Sequence, residues 1–351
     1  MNKITKNTMG MFDCLKGVIV ILVILSHCFE EVWAVNNCTD YSIAWKAIHC
    51  MTGIVMGIFF VISGYGFRPV KNLRGIKNQA KLLLRPILIV YLCFIPSKMI
   101  MNLIIGEDIF SGITERLLGL LFGHIHSTYV FGLETETITV FWYFVALFIG
   151  WVMLTLIFKI FKREIWRGAA SAVCVVAGYL LALYFPDFRY FIFQSLLAVG
   201  CLYFGYLLKK KGWLFVKIPL WGYAFLLAGT LISLLLGYMN FFSGTMQLGL
   251  LDYGVMLCGC YFILRIYLLL FNPDWKIFLP LMFIGRNSIL IICIHGFENF
   301  MFIWRLSPYL ISENEHLMVL VFFICRFSMI MIIYFIVVWF KGLWNRKVLR
   351  R

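Results

Sequence analysis

The sequence predicts an all-α fold, a polytopic membrane helix bundle of about ten transmembrane helices, on three observations. Of its 351 residues, 63% are hydrophobic and only 13% charged, with a mean hydropathy of +0.93, whereas soluble domains are about a quarter charged. Apolar runs long enough to span a bilayer recur along the whole chain. Lysine and arginine then gather between alternate runs, the pattern expected of loops sorted by the positive-inside rule. The formal charge of +15 is spread among these runs and forms no arm or patch, so no nucleic-acid partner is expected and the lipid bilayer is the partner implied.

The runs lie at about 14–34, 44–66, 80–105, 138–161, 168–185, 189–208, 218–238, 249–271, 278–302 and 317–340, in one membrane-embedded domain over 1–351. The first is expected to remain as a helix, since charged and aromatic residues follow it where a cleaved leader would end in small ones. Twenty basic residues fall on one side, from Lys3 and Lys6 through Arg68, Lys162 and Lys210 to Arg351, against Arg116, Arg189 and Arg305 on the other. That asymmetry predicts an even helix number with both termini cytoplasmic. Eleven cysteines include no CxxC pair, and the CxC of Cys258 and Cys260 is too weak to support a metal site.

In the first run, FDCLKGVIVILVILSHCFE, Lys16 and His27 stand eleven residues apart. On a helix this leaves them about 20° apart in azimuth and roughly 16 Å apart along the axis, on one face. Asp13 lies one turn before Lys16 and can pair with it. An imidazole this deep in an apolar run is costly, so it serves function or packs with a hydrogen-bond partner. The shared face favours function, with His27 accepting a proton from a hydroxyl.

The second run ends FFVISGYGFRP, where Ser63 and Gly64 interrupt the apolar residues and Arg68 follows. These small residues fit either close helix packing or bare backbone donors beside a ligand. Lys81 and Arg85 open the third run on one helix face, suited to a phosphate or to lipid headgroups. The long segment 106–137 carries the amphipathic stretch ITERLLGLLFG and then His124, His126, Glu134 and Glu136. It is expected on the external side, with its histidines solvated. Trp142 and Tyr143 open the fourth run as an interfacial belt or as a surface for stacking sugars. In the ninth, LMFIGRNSILIICIHGFENF, Ser288 and His295 share a stripe and Glu298 lies within i,i+3 reach of His295. A carboxylate that orients an imidazole supports acid/base work, or simply satisfies a polar pair between helices.

Taken together, these motifs resemble the acyltransferase 3 family of ten-helix membrane acyltransferases, which modify cell-envelope glycans and related acceptors. The family opens with an acidic residue and a basic residue separated from a histidine by ten positions, matched by Asp13, Lys16 and His27. Its FF-x-x-SG-[FY] resembles Phe59, Phe60, Ser63, Gly64 and Tyr65. Its W-[FY]-[FL] matches Trp142 and Tyr143, and its late G-[KR]-N-S followed by a histidine matches Gly285, Arg286, Asn287, Ser288 and His295. Of the family's two arginines three apart on helix three, Arg85 matches one; position 82 is leucine and Lys81 stands one place off.

The resemblance implies a multi-pass enzyme of the cell (plasma) membrane, an O-acetyltransferase that uses acyl-CoA, acetyl-CoA in the simplest case, as donor substrate with no tightly bound cofactor. Arg68, Arg85, Lys81, Ser63, Gly64 and Arg286 would meet the donor, and His27, Lys16 and Asp13 would form the catalytic group, with Lys16 and Arg286 stabilising negative charge. Trp142, Tyr143, Ser288, His295 and Glu298 would meet a glycan or lipid-linked acceptor. Envelope-biosynthesis proteins are the implied partners. A ten-helix bundle with an intramembrane histidine also suits a transporter or flippase for a glycan or lipid-linked intermediate, and a membrane sensor with a degenerate site is a third reading.

Overall fold

The computed structural model describes residues 3–36, 43–69, 73–123, 128–130, 132–185, 191–235, 239–272, 274–301 and 314–348. The described chain is all-α apart from two short hairpins. Its helices run α1 (Lys3–Asn36), α2 (Ile43–Tyr65), α3 (Leu73–Leu83), α4 (Arg85–Ile105), α5 (Ile113–Phe122), α6 (Trp142–Ile160), α7 (Glu164–Tyr184) and α8 (Ile192–Lys210). They continue with α9 (Leu220–Leu235), α10 (Leu250–Leu270), α11 (Leu279–Arg286), α12 (Ser288–Phe300) and α13 (Glu315–Val348). Between α5 and α6 lies the hairpin β1 (Thr128–Val130) with β2 (Leu133–Thr135), and between α9 and α10 the hairpin β3 (Met239–Asn240) with β4 (Thr245–Met246).

A helix stands in each apolar run the sequence marks, and among the described residues seven stretches are long and apolar enough to cross a membrane. These belong to α1, the α3–α4 unit, α6, α7, α8, α10 and α13; α11 and α12 make an eighth if the pair, bent by 65°, is one span. The apolar stretches Gly53–Tyr65 of α2 and Leu220–Ile232 of α9 are shorter. Burial sorts the spans into layers: two thirds (67%) of the α6 and α8 spans is buried against 22% for α7 and α13, so the first pair is central and the second faces outward.

Two interruptions have local causes. Between α3 and α4 the break falls at Leu84, because Pro86 has no N–H to donate to the Leu82 carbonyl one turn back and its ring crowds that carbonyl. Between α11 and α12 it falls at Asn287, whose side-chain amide donates to the Phe283 carbonyl at 2.8 Å and so competes with the helix ladder.

Glycine contacts set the spacing of the central helices. A Cβ at Gly17 would lie 2.0 Å from the Leu281 carbonyl oxygen, and one at Gly285 would lie 1.7 Å from that of Asp13. The backbones of α1 and α11 therefore touch, as small residues permit in membrane bundles. A second seam joins α2 to α8, where a Cβ at Gly64 would meet the Leu202 carbonyl oxygen at 2.1 Å.

The described parts of the segment 106–137 are held by local hydrogen bonds. The buried Asn102 amide donates to the carbonyls of Asp108 and Ser111 at 3.0 and 2.9 Å, and the Glu136 N–H donates to the Glu115 carbonyl at 3.0 Å. A Cβ at Gly119 would collide with the Glu136 carbonyl, so α5 lies flush on the strand that leads into α6.

Gly17→Ala and Gly285→Ala each drive a methyl into a facing backbone. Each is expected to destabilise by about 1–3 kcal/mol, read as a lower thermal midpoint in detergent. Gly254→Ala, with open space around the added carbon, should leave the midpoint unchanged.

Candidate active site

Two polar clusters lie at different levels of α1. At the first, Asp13 accepts from Lys16 at 2.9 Å and from Arg286 Nε at 3.0 Å. The Gly285–Asp13 contact brings the neighbouring arginine to this carboxylate, so the glycine of the G-R-N-S motif acts through packing and the arginine through charge. The Phe12 ring meets Tyr65 edge-on at 4.9 Å, which places the end of α2 beside this cluster. Ser63 there donates to the Phe59 carbonyl at 2.8 Å, and Gly64 faces α8. Arg68, Lys81 and Arg85 are exposed.

At the second level two histidines face each other. His27 Nδ1 lies 2.9 Å from Glu30 Oε2 on α1, and His295 Nδ1 lies 3.1 Å from Glu298 Oε2 on α12. Their ring centroids are 5.3 Å apart. Each pair spans one helical turn, and a carboxylate at Nδ1 holds the ring proton there, leaving Nε2 as the basic nitrogen. The two are not equivalent, because His27 lines a cavity and is partly exposed while His295 is fully buried behind it. Only His27 is open to a ligand from that cavity.

Arg326 of α13 secures the arrangement. It is fully buried, donates to Glu298 and Asn299, and pairs with Glu31 at 3.1 Å. The guanidinium thereby ties α13 to both histidine-bearing helices. Sequence reasoning passed over this residue, although a lone arginine inside the apolar run of α13 is a signal in itself.

The cavity has a volume of about 590 Å³, within the range of roughly 300–1,000 Å³ usual for small-ligand sites. His27 and Glu30 form one wall, and Trp142 and Tyr143 of α6 another. The Tyr143 ring packs on Phe59 and Phe60 at 5.4 and 4.9 Å, joining the Phe59–Tyr65 motif of α2 to the Trp142–Tyr143 motif of α6. Arg116 of α5 and Glu136 close one side as an ion pair, with the guanidinium 4.4 Å from the Phe300 ring centre. Burial lowers the Arg116 pKa from its ordinary value, opposed by the Glu136 charge. Asn240, Phe241 and Phe242 from the β3–β4 hairpin complete the wall.

The structure thus gathers His27, Trp142 and Tyr143 around one space, sets His295 and Glu298 directly behind it, and groups Asp13, Lys16 and Arg286 apart from them. Ser288 is buried at the start of α12 and does not line the cavity. His124 and His126 lie outside the described residues.

Arg326→Met would leave the buried carboxylate of Glu298, and the part-buried one of Glu31, without their guanidinium. The expected cost is about 3–5 kcal/mol, read as a lower detergent melting temperature, and Glu298→Gln in the same chain should recover part of it.

Comparison with known protein families matches residues 10–339 to the family described as "Acyltransferase domain" (Acyl_transf_3), a span that includes both polar clusters and Arg326. Searches of curated proteins and of solved structures returned no significant match. With nearly the whole chain covered, from the start of the α1 span to the end of the α13 span, the protein belongs to the acyltransferase 3 family.

Proposed function

We propose that this membrane acyltransferase moves an acyl group, acetyl in the simplest case, from acyl-CoA to a hydroxyl of a cell-envelope glycan or related acceptor, with His27 as the general base. The observation that carries the reading is an imidazole held at Nδ1 by Glu30 while its ring faces a ligand-sized cavity.

His27 Nε2 takes the proton of the acceptor hydroxyl as its oxygen attacks the thioester carbonyl. A C–O bond forms, the C–S bond breaks, and the thiolate leaving group takes up a proton to become the CoA thiol. Lys16 stands roughly 16 Å from His27 along α1, too far for both to touch one reacting carbonyl. Lys16 and Arg286 therefore suit the negative charge of the donor, whose long pantetheine arm would bridge the two levels. Arg68, Arg85 and Lys81, all exposed, would meet its phosphates, with Ser63 and Gly64 contributing from α2. Trp142 and Tyr143 would stack on the acceptor, and Glu298 would orient His295 behind the base.

In this reading the chain crosses the plasma membrane ten times with both termini cytoplasmic. α2 and α9 each count as a span, and the bent α11–α12 pair counts as one. The charge asymmetry of the loops supports that orientation, and it places the donor level on the cytoplasmic side.

The test is transfer of label from radiolabelled acetyl-CoA by the purified full chain. His27→Ala should lower the rate by about 10²–10⁴-fold at unchanged expression, and a wild-type rate would reject the assignment. Arg68→Ala and Arg85→Ala should raise KM for acetyl-CoA with little change in kcat, the sign of lost donor binding.

A further inference from the structure

The cavity at His27 changes character along its depth. On α1 the residues that line it run from Leu22 and Val23 through His27 to Glu30 and Glu31, a step of roughly 14 Å along the helix. On α12 the order repeats, with Ile292 before His295 and Asn299 after it, both on the wall. The next span, α2, runs the other way, since its Tyr65 ring meets Phe12. Met56 before Tyr65 and Leu22 after Phe12 each stand roughly 14–15 Å from that contact, so they face the cavity at one level.

Leu22, Val23, Val55, Met56 and Ile292 thus make an apolar floor about one helical turn from the two histidines, on the side of Asp13. Their side chains have no hydrogen to donate, and the Met56 thioether is only a weak acceptor. Ser26 also lines the cavity, but its hydroxyl donates to the Val23 carbonyl at 2.8 Å and is spent within α1. The polar residues that α1 and α12 add beyond the histidines, Glu30, Glu31 and Asn299, stand at the opposite end. The space is therefore amphiphilic, with its base at the boundary between the two halves.

We propose that this floor seats the acyl chain, and that it selects a neutral aliphatic chain such as butyryl over acetyl and over a chain of the same length that ends in a carboxylate. The proposal rests on the reading of His27 as the base beside the thioester carbonyl. With the carbonyl at that level, the carbons that follow reach Val23 and Met56 about one helical turn away. An acetyl methyl leaves the floor unfilled, whereas each further methylene buried there strengthens binding about fourfold. A terminal carboxylate would give up its water for side chains that return no hydrogen bond. At about 590 Å³ the cavity has room for the chain beside the end of the pantetheine arm that delivers it.

The experiment measures binding of radiolabelled acetyl-CoA, butyryl-CoA and succinyl-CoA to the detergent-solubilised full chain by equilibrium dialysis. Butyryl and succinyl have the same number of carbons, so that pair isolates the terminal charge. Butyryl-CoA should bind about tenfold more tightly than acetyl-CoA, and succinyl-CoA at least about tenfold more weakly than butyryl-CoA. Met56→Trp, which fills the floor, should bring the butyryl-to-acetyl ratio close to one; if it does not fold, Val23→Leu is the smaller change and should lower the ratio severalfold. Butyryl-CoA bound no more tightly than acetyl-CoA, succinyl-CoA bound as tightly as butyryl-CoA, an unchanged ratio in the folded variant, or no binding by any of the three overturns the proposal. Transfer of label is scored on the same preparations. Chain preference without transfer would end the acyltransferase mechanism and leave the acyl seat standing, whereas transfer without preference would do the reverse.

Discussion

A guanidinium cannot be taken out of water without carboxylates to receive it, and Arg326 satisfies this condition by reaching two helices at once. Its contacts with Glu298 and Glu31 draw α12 and α1 toward α13. The facing of His27 and His295 across 5.3 Å follows from that convergence. Apolar side chains pack against lipid nearly as well as against each other, so helix packing alone specifies position weakly in a bilayer. The buried ion network supplies the missing specificity, and it does so beside the residue assigned the chemistry.

The glycine seam between α1 and α11 plays the corresponding part at the other level. With Gly285 against the Asp13 carbonyl and Gly17 against Leu281, α11 cannot slide along α1 without a backbone clash. The bend at Asn287 then carries the chain into α12 and brings His295 to α1 a second time. One broken helix therefore reads α1 at two heights, near Asp13 and near His27.

What the sequence made legible follows the range of the interactions. The Asp13–Lys16 and His295–Glu298 pairs are local, one turn apart, and could be read from spacing. His27–Glu30 has the same spacing and is equally legible. Pro86 marked an interruption that the apolar count smoothed over. The partners of Arg326, the approach of Arg286 to Asp13 and the closure of the cavity by Arg116 and Glu136 join residues distant in sequence, and a single chain without tertiary information does not specify them.

The cavity wall is made of unlike materials. His27 stands on a long helix fixed by glycine contacts and a buried ion pair, whereas Arg116, Glu136, Asn240 and Phe241 come from a short amphipathic helix, a strand exit and a two-residue hairpin. Such connecting segments diverge and exchange more readily than the elements they join. The architecture thus separates what must stay constant from what is free to evolve: on the proposed reading of the cavity as the acceptor site, new preferences are reachable by remodelling its loop-borne wall, while the helices that carry His27 and His295 keep their register.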